Sequence, residues 1–183
     1  MQYGGIQNSP LGKILVIDDG EVILEVRFLD SVFNASCIDN SLTEWHSTQS
    51  IQNILVQHSL IQSQLTLATF SQLQEYFSKM RKTFTLPLNP KGTTFQQSVW
   101  KILRTIPYGE TLSYGEVAKT LGKPKSARAI GGANHHNPIA ILIPCHRVIS
   151  ANGTINGYAS GVQRKIKLLK LEEYKPKKDL WRL

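Results

Sequence analysis

The sequence predicts a mixed α/β chain whose two halves differ in structure and in charge. In the first half, β-branched arms at residues 14–17 and 22–28 flank an Asp-Asp-Gly turn, which is typical of a β-hairpin. In the second half, short amphipathic helices alternate with brief connections. The first 91 residues carry a net charge of −2 and the rest carry +10, which together give the chain's +8. We therefore predict an α/β domain over residues 1–88 and a basic, mainly helical α+β domain over residues 92–183.

The rest of the first half is predicted to hold one helix and a linker. Residues 34–63 are rich in Ser, Gln, Asn and Thr, which favours loop mixed with short elements. Pro87–Gly92, with two prolines and a glycine, predicts a linker. Nothing in this half suggests chemistry, so we interpret it as a scaffold. Between the loop region and the linker, a helix over Leu65–Met80 is indicated by apolar residues that share one face: Phe70, Leu73, Phe77 and Met80.

Capping patterns place the helices of the second half. Thr94 and Gln97 are spaced as a capping box at the start of a first helix. Ser113 and Glu116 are spaced in the same way for a second helix, which Gly122 ends, and Pro124 opens a third. The first helix has one apolar stripe: Phe95, Val99, Ile102, Leu103 and Ile106.

Two short helices joined so tightly predict a helix-turn-helix. Asn152-Gly153 lies between Val148-Ile149 and Thr154-Ile155 and predicts a hairpin, which would be the wing of a winged helix. A last helix is predicted over Val162–Glu173. It has an apolar face, and its basic residues lie elsewhere: Arg164, Lys165, Lys167 and Lys170.

The third helix has an unusual composition for reading DNA. Residues 126–133 are small almost throughout and include one long cation, Arg128. Major-groove helices present several long polar side chains to base edges, whereas a smooth helix suits close approach to a narrow groove. The alternative is that these small residues serve only tight helix packing. Likewise, the basic charge predicts a polyanionic partner but also fits a merely solvated surface.

The residues from 139 to 149 carry the chemistry. The apolar run Ile139–Ile143 predicts a buried strand, which Pro144 ends because proline has no amide hydrogen to donate. The strand would deliver Cys145 and His146 to its end. A lone cysteine is usually an inert core residue, but the histidine and arginine that follow it, His146 and Arg147, are poor core residues and can stabilise or generate a thiolate.

Pro144–Val148, read as Pro-Cys-His-Arg-Val, resembles the acceptor motif of the O6-alkylguanine-DNA alkyltransferases. The similarity is dense from about Gly92 to Glu173 and thin before it. It implies a ribonuclease H-like fold for the first domain and a winged helix-turn-helix for the second. The similarity continues through these flanking residues: Thr94-Phe95-Gln96, Val99-Trp100, Ile106–Thr111, Ser113-Tyr114, Arg128-Ala129, Gly131, Asn137-Pro138, Gly157-Tyr158 and Glu172.

The resemblance implies single-use DNA repair. Cys145 would pass its proton through a water to His146, which Glu172 orients, and would take an alkyl group from guanine O6 irreversibly. Thymine O4 is left open as a second source. Asn137 would hold the third helix and the strand together. Tyr114 would crowd a phosphate and donate a proton to the base. A plain turn asparagine and a half-buried tyrosine are the alternatives for the last two.

The same resemblance implies that the damaged nucleotide is flipped out of the duplex, because a thiol beside a buried strand cannot reach a stacked base. Arg128 would fill the gap, on a helix that meets DNA through Ser126, Ala127 and Gly131. The alkylguanine pocket would contain Val148, Tyr158, Ala159, Ser160 and Lys165.

Several function classes are not expected. Cys37 and Cys145 form no Cys-x-x-Cys pair, and with the scattered His46 and His58 they assemble no zinc site. No metal, cofactor, secretion signal or membrane span is predicted. The expected partner is double-stranded DNA carrying alkylated guanine. We expect a monomer, with cooperative binding to DNA left open, that is cytoplasmic and nucleoid-associated if prokaryotic and nuclear if eukaryotic.

Two other functions compete with alkyl transfer. A non-catalytic binder of alkylated DNA would lack the acceptor cysteine, so Cys145 argues against it. A winged-helix regulator would leave the combination of Cys145, His146 and Glu172 unexplained.

Overall fold

The first domain begins with an antiparallel sheet. The computed structural model describes residues 1–29 and 61–175, so most of the predicted loop region 34–63 lies outside it. The sheet order is β1-β2-β3, and the predicted hairpin is confirmed. β1 was not predicted. The strands are β1 (Tyr3–Ser9), β2 (Gly12–Asp18) and β3 (Ile23–Phe28).

Helix α1 (Gln64–Phe77) packs on this sheet and confirms the predicted helix. Its N-cap Ser63 donates its hydroxyl to Asp18 at 2.7 Å, which ties the helix start to the end of β2. The helix ends three residues before the predicted Met80, because Lys79 turns into the left-handed region at φ 62°. Its buried residues include Phe70, Leu73 and Tyr76.

The second domain covers the free edge of β3. The Val26 amide donates to the Pro138 carbonyl at 2.9 Å, and the Val26 carbonyl accepts from the Ala140 amide at 2.7 Å. The Ile23 amide donates to the Pro87 carbonyl at 2.8 Å. The predicted linker therefore contributes in part to the sheet edge.

The second domain contains α2 (Thr94–Leu103), β4 (Leu112–Ser113), α3 (Tyr114–Thr120), α4 (Ala127–His135), β5 (Val148–Ile149) and α5 (Val162–Leu171). The capping box of α3 is as predicted, and Gly122 follows its end at φ 73°. The box of α2 lies one residue earlier than predicted, at Thr93 and Gln96, because Thr-Thr-Phe-Gln-Gln offers both registers. Helix α4 begins three residues after Pro124, which lies in the turn before it.

The predicted strand at Ile139–Ile143 is wrong. The Leu142 amide donates to the Ala140 carbonyl at 2.9 Å and the Ile143 amide to the Ile139 carbonyl at 3.0 Å, so the segment is a series of tight turns. Ile141 has a φ of 70°. The apolar run reflects complete burial, which hydrophobicity alone cannot assign to a strand.

The predicted hairpin and last helix also need correction. Residues 150–154 form a turn in which the Ser150 amide donates to the Thr154 carbonyl at 3.2 Å, and no strand follows β5 there. β5 pairs instead with β4, in parallel. The last helix ends at Leu171, and Arg164 and Lys165 on it are completely buried rather than on a solvated face.

The larger apolar core of the described residues runs through both domains. It includes Val16 and Leu73 from the first domain and Trp100, Ile130 and Leu168 from the second. None of the helices within the described residues is long and apolar enough to cross a membrane.

Candidate active site

Cys145 lies in a one-turn 3₁₀ helix, Cys145–Arg147, that follows Pro144. Its side chain is buried, with 6% of the residue exposed. Nδ2 of Asn137 donates to the sulfur at 3.1 Å and to the Ile143 carbonyl at 2.8 Å. Burial raises the pKa of the Cys145 thiol, and the Asn137 hydrogen bond and the Lys165 charge oppose that rise.

His146 and Glu172 form a buried pair. Nε2 of His146 lies 2.8 Å from Oε1 of Glu172. Burial lowers the pKa of His146, so the imidazole is neutral near pH 7. A carboxylate can only accept, so Nε2 carries the hydrogen and Nδ1 carries the lone pair. Nδ1 has no hydrogen-bond partner among the described residues. The pair therefore presents a proton acceptor one residue from the thiol.

The Glu172 carboxylate accepts five hydrogen bonds. Burial alone would raise its pKa, but contacts with His146 and Arg147 outweigh burial and hold the pKa well below its usual value. Glu172 is therefore ionised. Its donors are His146 Nε2 at 2.8 Å, Arg147 Nε and Nη2 at 2.9 Å each, the Tyr76 hydroxyl at 2.6 Å and the Gly109 amide at 3.2 Å.

The loop before β4 must approach Glu172 closely. Gly109 has a φ of 78°, and a Cβ added there would lie 2.8 Å from the Glu172 backbone carbonyl. Only glycine fits this position. The neighbouring Tyr108 hydroxyl donates to the Leu171 carbonyl at 2.9 Å, so this loop holds the end of α5 in place.

Sequence reasoning missed three of the Glu172 partners: Tyr76, Gly109 and Arg147. Arg147 was expected only to favour a thiolate, and its two hydrogen bonds to Glu172 depend on the fold. Tyr76 comes from α1, in the domain interpreted as a scaffold, so that interpretation is incomplete. Tyr76 occupies an apolar-face position of α1, where an aromatic residue is normally explained by packing alone, so no sequence signal distinguished it.

Lys165 lies behind the site. Nζ donates to the Val148 carbonyl at 2.6 Å and to the Asn156 carbonyl at 2.9 Å. Burial lowers its pKa from 10.5 to about 8, against the attraction of Cys145. Lys165 therefore joins the segment after Cys145 to the loop at residues 156–157 and places a cation near the thiol.

A cavity of about 170 Å³ opens beside Cys145. Of the predicted pocket residues, Tyr158 and Ala159 line it, whereas Val148, Ser160 and Lys165 do not. Burial raises the pKa of Tyr114, so its hydroxyl keeps its proton. Asn134 and His135 also line the cavity, and the sequence analysis did not predict either of them. The lining residues are Tyr114, Gly131, Asn134, His135, Cys145, Gly157, Tyr158 and Ala159.

Helix α4 carries the predicted DNA contacts on its first turns. Arg128 is exposed, while Ser126 and Ala127 are half-buried. Gly131 lies deeper, against the Tyr114 ring and on the cavity wall. The helix therefore connects an exposed cation at one end with the reactive pocket at the other.

Within residues 1–29 and 61–175, no group of three or more His, Cys, Asp or Glu side chains could hold a metal ion. Cys37, His46 and His58 lie outside the described residues.

The fold and the site define a class of two-domain proteins built around one buried cysteine beside a His–Glu pair. The family model described as 6-O-methylguanine DNA methyltransferase, ribonuclease-like domain, matches residues 2–90. The model for the DNA binding domain of the same methyltransferase matches residues 94–174. The chain belongs to the 6-O-methylguanine DNA methyltransferase family. The predicted resemblance is confirmed, as is a mixed α/β fold with a ribonuclease-like first domain and a DNA-binding second domain.

Named relatives cover almost the whole chain. A methylated-DNA–protein-cysteine methyltransferase of Methanosarcina acetivorans is 44% identical over 171 residues, which span 93% of this chain and 97% of the relative. The protein of the same name from Mycobacterium bovis is 41% identical over 173 residues, which span 94% of this chain and 93% of the relative.

Solved structures agree with this assignment. The crystal structure of Mycobacterium tuberculosis O6-methylguanine methyltransferase matches with a TM-score of 0.76 and 38% identity, and the match covers 97% of each chain. A Mycobacterium tuberculosis structure described as a complex with DNA matches with a TM-score of 0.74 and 40% identity, over 93% of this chain and 92% of that one.

Proposed function

We propose that this protein repairs DNA by moving an alkyl group from guanine O6 to the sulfur of its own Cys145. The observation that carries the proposal is the buried thiol on a cavity wall, next to a His–Glu pair that can take its proton. The relatives' shared name, methylated-DNA–protein-cysteine methyltransferase, supports the same reaction. It is the function predicted from the sequence.

Activation of the thiol is the first step. His146 Nδ1 carries a lone pair and no protein hydrogen bond among the described residues, so it can accept the Cys145 proton through one water. Ionised Glu172 stabilises the resulting imidazolium through Nε2. Asn137 Nδ2, 3.1 Å from the sulfur, stabilises the thiolate as it forms.

Transfer is a single displacement. The thiolate attacks the alkyl carbon, an S–C bond forms, and the C–O6 bond breaks with its electron pair passing to the guanine ring. Tyr114, on the cavity wall, donates a proton to the leaving base, and the proton that His146 took from Cys145 is returned to the tyrosinate through solvent. A thioether is a poor leaving group, so the alkyl group stays on Cys145 and each molecule acts once.

Access to the base requires eversion from the duplex, because the thiol lies on the wall of a cavity and not on the protein surface. Helices α3 and α4 act as a helix-turn-helix, and the turn at residues 150–154 acts as the wing. The first two turns of helix α4, which carry small residues beside Arg128, enter the minor groove, and Arg128 fills the vacated stack. Double-stranded DNA carrying alkylated guanine is the partner, bound by a monomer. The protein acts wherever the chromosome is, in the cytoplasm of a prokaryote or the nucleus of a eukaryote.

Intact-mass spectrometry tests the proposal. The protein is mixed with a duplex carrying one O6-methylguanine, with a matched unmodified duplex as control. We expect one added methyl mass, located by peptide mapping on Cys145. A duplex with O4-methylthymine tests the second substrate. Cys145→Ala should bind the damaged duplex and leave it unrepaired. Binding without any mass change in the unaltered protein would instead identify a non-catalytic reader of damage.

A further inference from the structure

We propose that Tyr76, from helix α1 of the first domain, is a positioning residue that tunes the proton acceptor of the relay through Glu172. The inference rests on the proposed function and adds to it a contribution from the first domain. The two residues are 96 positions apart in sequence and meet across the interface between the domains.

The hydroxyl of Tyr76 is fixed in one place. It lies 2.6 Å from Oε1 of Glu172, and the residue has no exposed surface. Its ring packs against Phe77 and Phe84, each with centroids 5.4 Å away, and against Tyr108 at 6.1 Å. Burial raises the pKa of Tyr76 well above 10, so the hydroxyl remains a donor over the working pH range.

Tyr76 and His146 share one acceptor. His146 Nε2 contacts the same Oε1 atom at 2.8 Å, and Arg147 Nη2 contacts it at 2.9 Å. Each donor draws charge from the oxygen, so each weakens the support that the carboxylate gives to a protonated imidazole. Removal of the Tyr76 hydroxyl should therefore make His146 more basic.

The effect of a more basic His146 on transfer depends on the charged groups around Tyr76 and His146. Among the described residues, the charged and titratable groups that act on Tyr76 or His146 are Arg147 from the 3₁₀ turn, Glu172 and Lys165 from the last helix and its end, and Tyr108 from the loop after α2. Burial keeps Cys145 and His146 neutral together near pH 7. In the pH–rate profile of transfer, the rate on the acid side (the acid limb) should then fall as His146 becomes protonated. An imidazolium cannot accept the thiol proton.

Tyr76→Phe keeps the ring and removes only the hydroxyl. Single-turnover transfer from a methylguanine duplex should show its acid limb displaced to higher pH by roughly 0.5–1 pH unit. Tyr108→Phe is the control, since it removes a neighbouring, half-buried hydroxyl that donates to the Leu171 carbonyl and not to the carboxylate. It should keep the original pH profile. Glu172→Gln should move the limb in the opposite direction, because it removes the charge that supports the imidazolium.

A second readout needs no transfer. The titration of His146, followed by ¹⁵N NMR in the Cys145→Ala background, should move to higher pH when Tyr76→Phe is added. If Tyr76→Phe slows transfer by the same factor at every pH and leaves the His146 titration unchanged, the proposal is wrong. Tyr76 would then contribute only packing. Absence of methyl transfer in the unaltered protein would overturn the proposed function and leave the NMR result standing.

A different observation carries a second inference: we infer that Asn134 hydrogen-bonds the alkylated base and helps to select it. Asn134 is 8% exposed and lines the cavity beside Cys145. Both its Nδ2 and its Oδ1 are buried without a hydrogen-bond partner among the described residues. Buried amides are nearly always paired, so an unpaired one on the wall of a reactive cavity indicates a ligand partner.

The chemistry of the base supplies that partner. When O6 points towards the sulfur, the ring nitrogens on either side of it are N1 and N7. Both are acceptors in an O6-alkylguanine, whereas N1 of ordinary guanine carries a hydrogen. Nδ2 of Asn134 therefore has an acceptor beside the alkylated oxygen, and the contact at N1 favours the damaged base over the normal one.

Asn134→Leu should have two opposite effects. The melting temperature should rise by roughly 2–4 °C, because a buried unpaired amide is removed. Transfer should slow by about 10-fold both on duplex and on free O6-benzylguanine, because the lost contact is with the base. Asn134→Asp, which keeps the shape and replaces the donor with acceptors, should also slow both reactions. Unchanged transfer by both variants would overturn the inference, whatever happens to stability.

Discussion

Nε of Arg164 lies 2.8 Å from the backbone carbonyl of Leu11, in the turn between β1 and β2. The same guanidinium donates from Nη1 to the Ser160 carbonyl at 2.9 Å and lies 4.6 Å from the centroid of the Phe28 ring. One completely buried cation thus fastens the first domain to the loop that carries Tyr158 and Ala159.

Removal of this cation should destabilise the whole protein. Arg164→Met keeps most of the side-chain volume but leaves the Leu11 and Ser160 carbonyls without this donor, so we expect a loss of about 2–4 kcal/mol in the free energy of unfolding. Urea denaturation measures it. The exposed Arg104 offers the control, and Arg104→Met should change stability by no more than about 0.5 kcal/mol. Similar losses for both variants would show that the buried contacts contribute little.

Stability should fall on mild acidification because of His146. Burial lowers the folded-state pKa of His146 below the ordinary 6.5, so below that pH the unfolded chain binds a proton that the folded protein does not. Stability is therefore lost as the pH falls from about 6.5 towards the folded pKa. Urea unfolding at about pH 7.5 and 5.5 should show a larger loss for the unaltered protein than for His146→Gln, by about 1 kcal/mol. Parallel losses would assign the effect to other groups.

Lys165 should assist the thiolate only while it is charged. Its pKa of about 8 means that the ammonium is mostly present at pH 7 and mostly absent at pH 9. Lys165→Met should therefore slow transfer by about 10-fold near pH 7 and by clearly less near pH 9, as seen in single-turnover rates. Lys170→Met, on the exposed side of the same helix, is the control and should leave the profile unchanged. A defect of equal size at both pH values would indicate that Lys165 acts only through the Val148 and Asn156 carbonyls.

An Arg128→Ala variant distinguishes a role of Arg128 in base eversion from a role in binding phosphates. An inserted arginine stabilises the flipped state, so Arg128→Ala should slow repair of duplex DNA by at least about 10-fold more than reaction with free alkylated guanine. The defect should shrink at a mismatched site, where eversion costs less. The salt dependence of duplex binding should hardly change, whereas loss of a phosphate contact would flatten it. An equal loss on free base and duplex would place Arg128 in the chemistry instead.

The sequence predicted helices better than the path of the chain between them. The hairpin, α1 and the cap of α3 carry local signals, namely a turn, a periodic apolar face and a capping box. The run Ile139–Ile143 carries only burial, and burial does not determine backbone direction. The start of α2 was displaced by one residue because two equivalent capping pairs lie side by side.

The candidate site was predictable where its residues form a motif. Cys145 and His146 are adjacent in sequence, and the resemblance extended the site to Glu172 and Asn137, which the structure brings into contact with them. The contact from Tyr76 was not predictable, because it spans 96 positions and depends on how two domains meet. Burial of Arg164 and Lys165 was missed for a related reason: basic residues on a helix are normally solvated, and here backbone carbonyls hold them.

The pairing of β3 with residues 87 and 138–140 has a consequence for synthesis of the chain. As the protein leaves the ribosome, the outer edge of β3 exposes unpaired backbone groups until Ala140 has emerged, more than a hundred residues after Val26. During that interval the nascent first domain exposes an open sheet edge and an incomplete apolar core. Chaperones bind surfaces of this kind. The residues that complete the sheet, 138–140, lie just before Cys145, so the edge of the first domain and the reactive thiol are supplied by the same short segment of the chain.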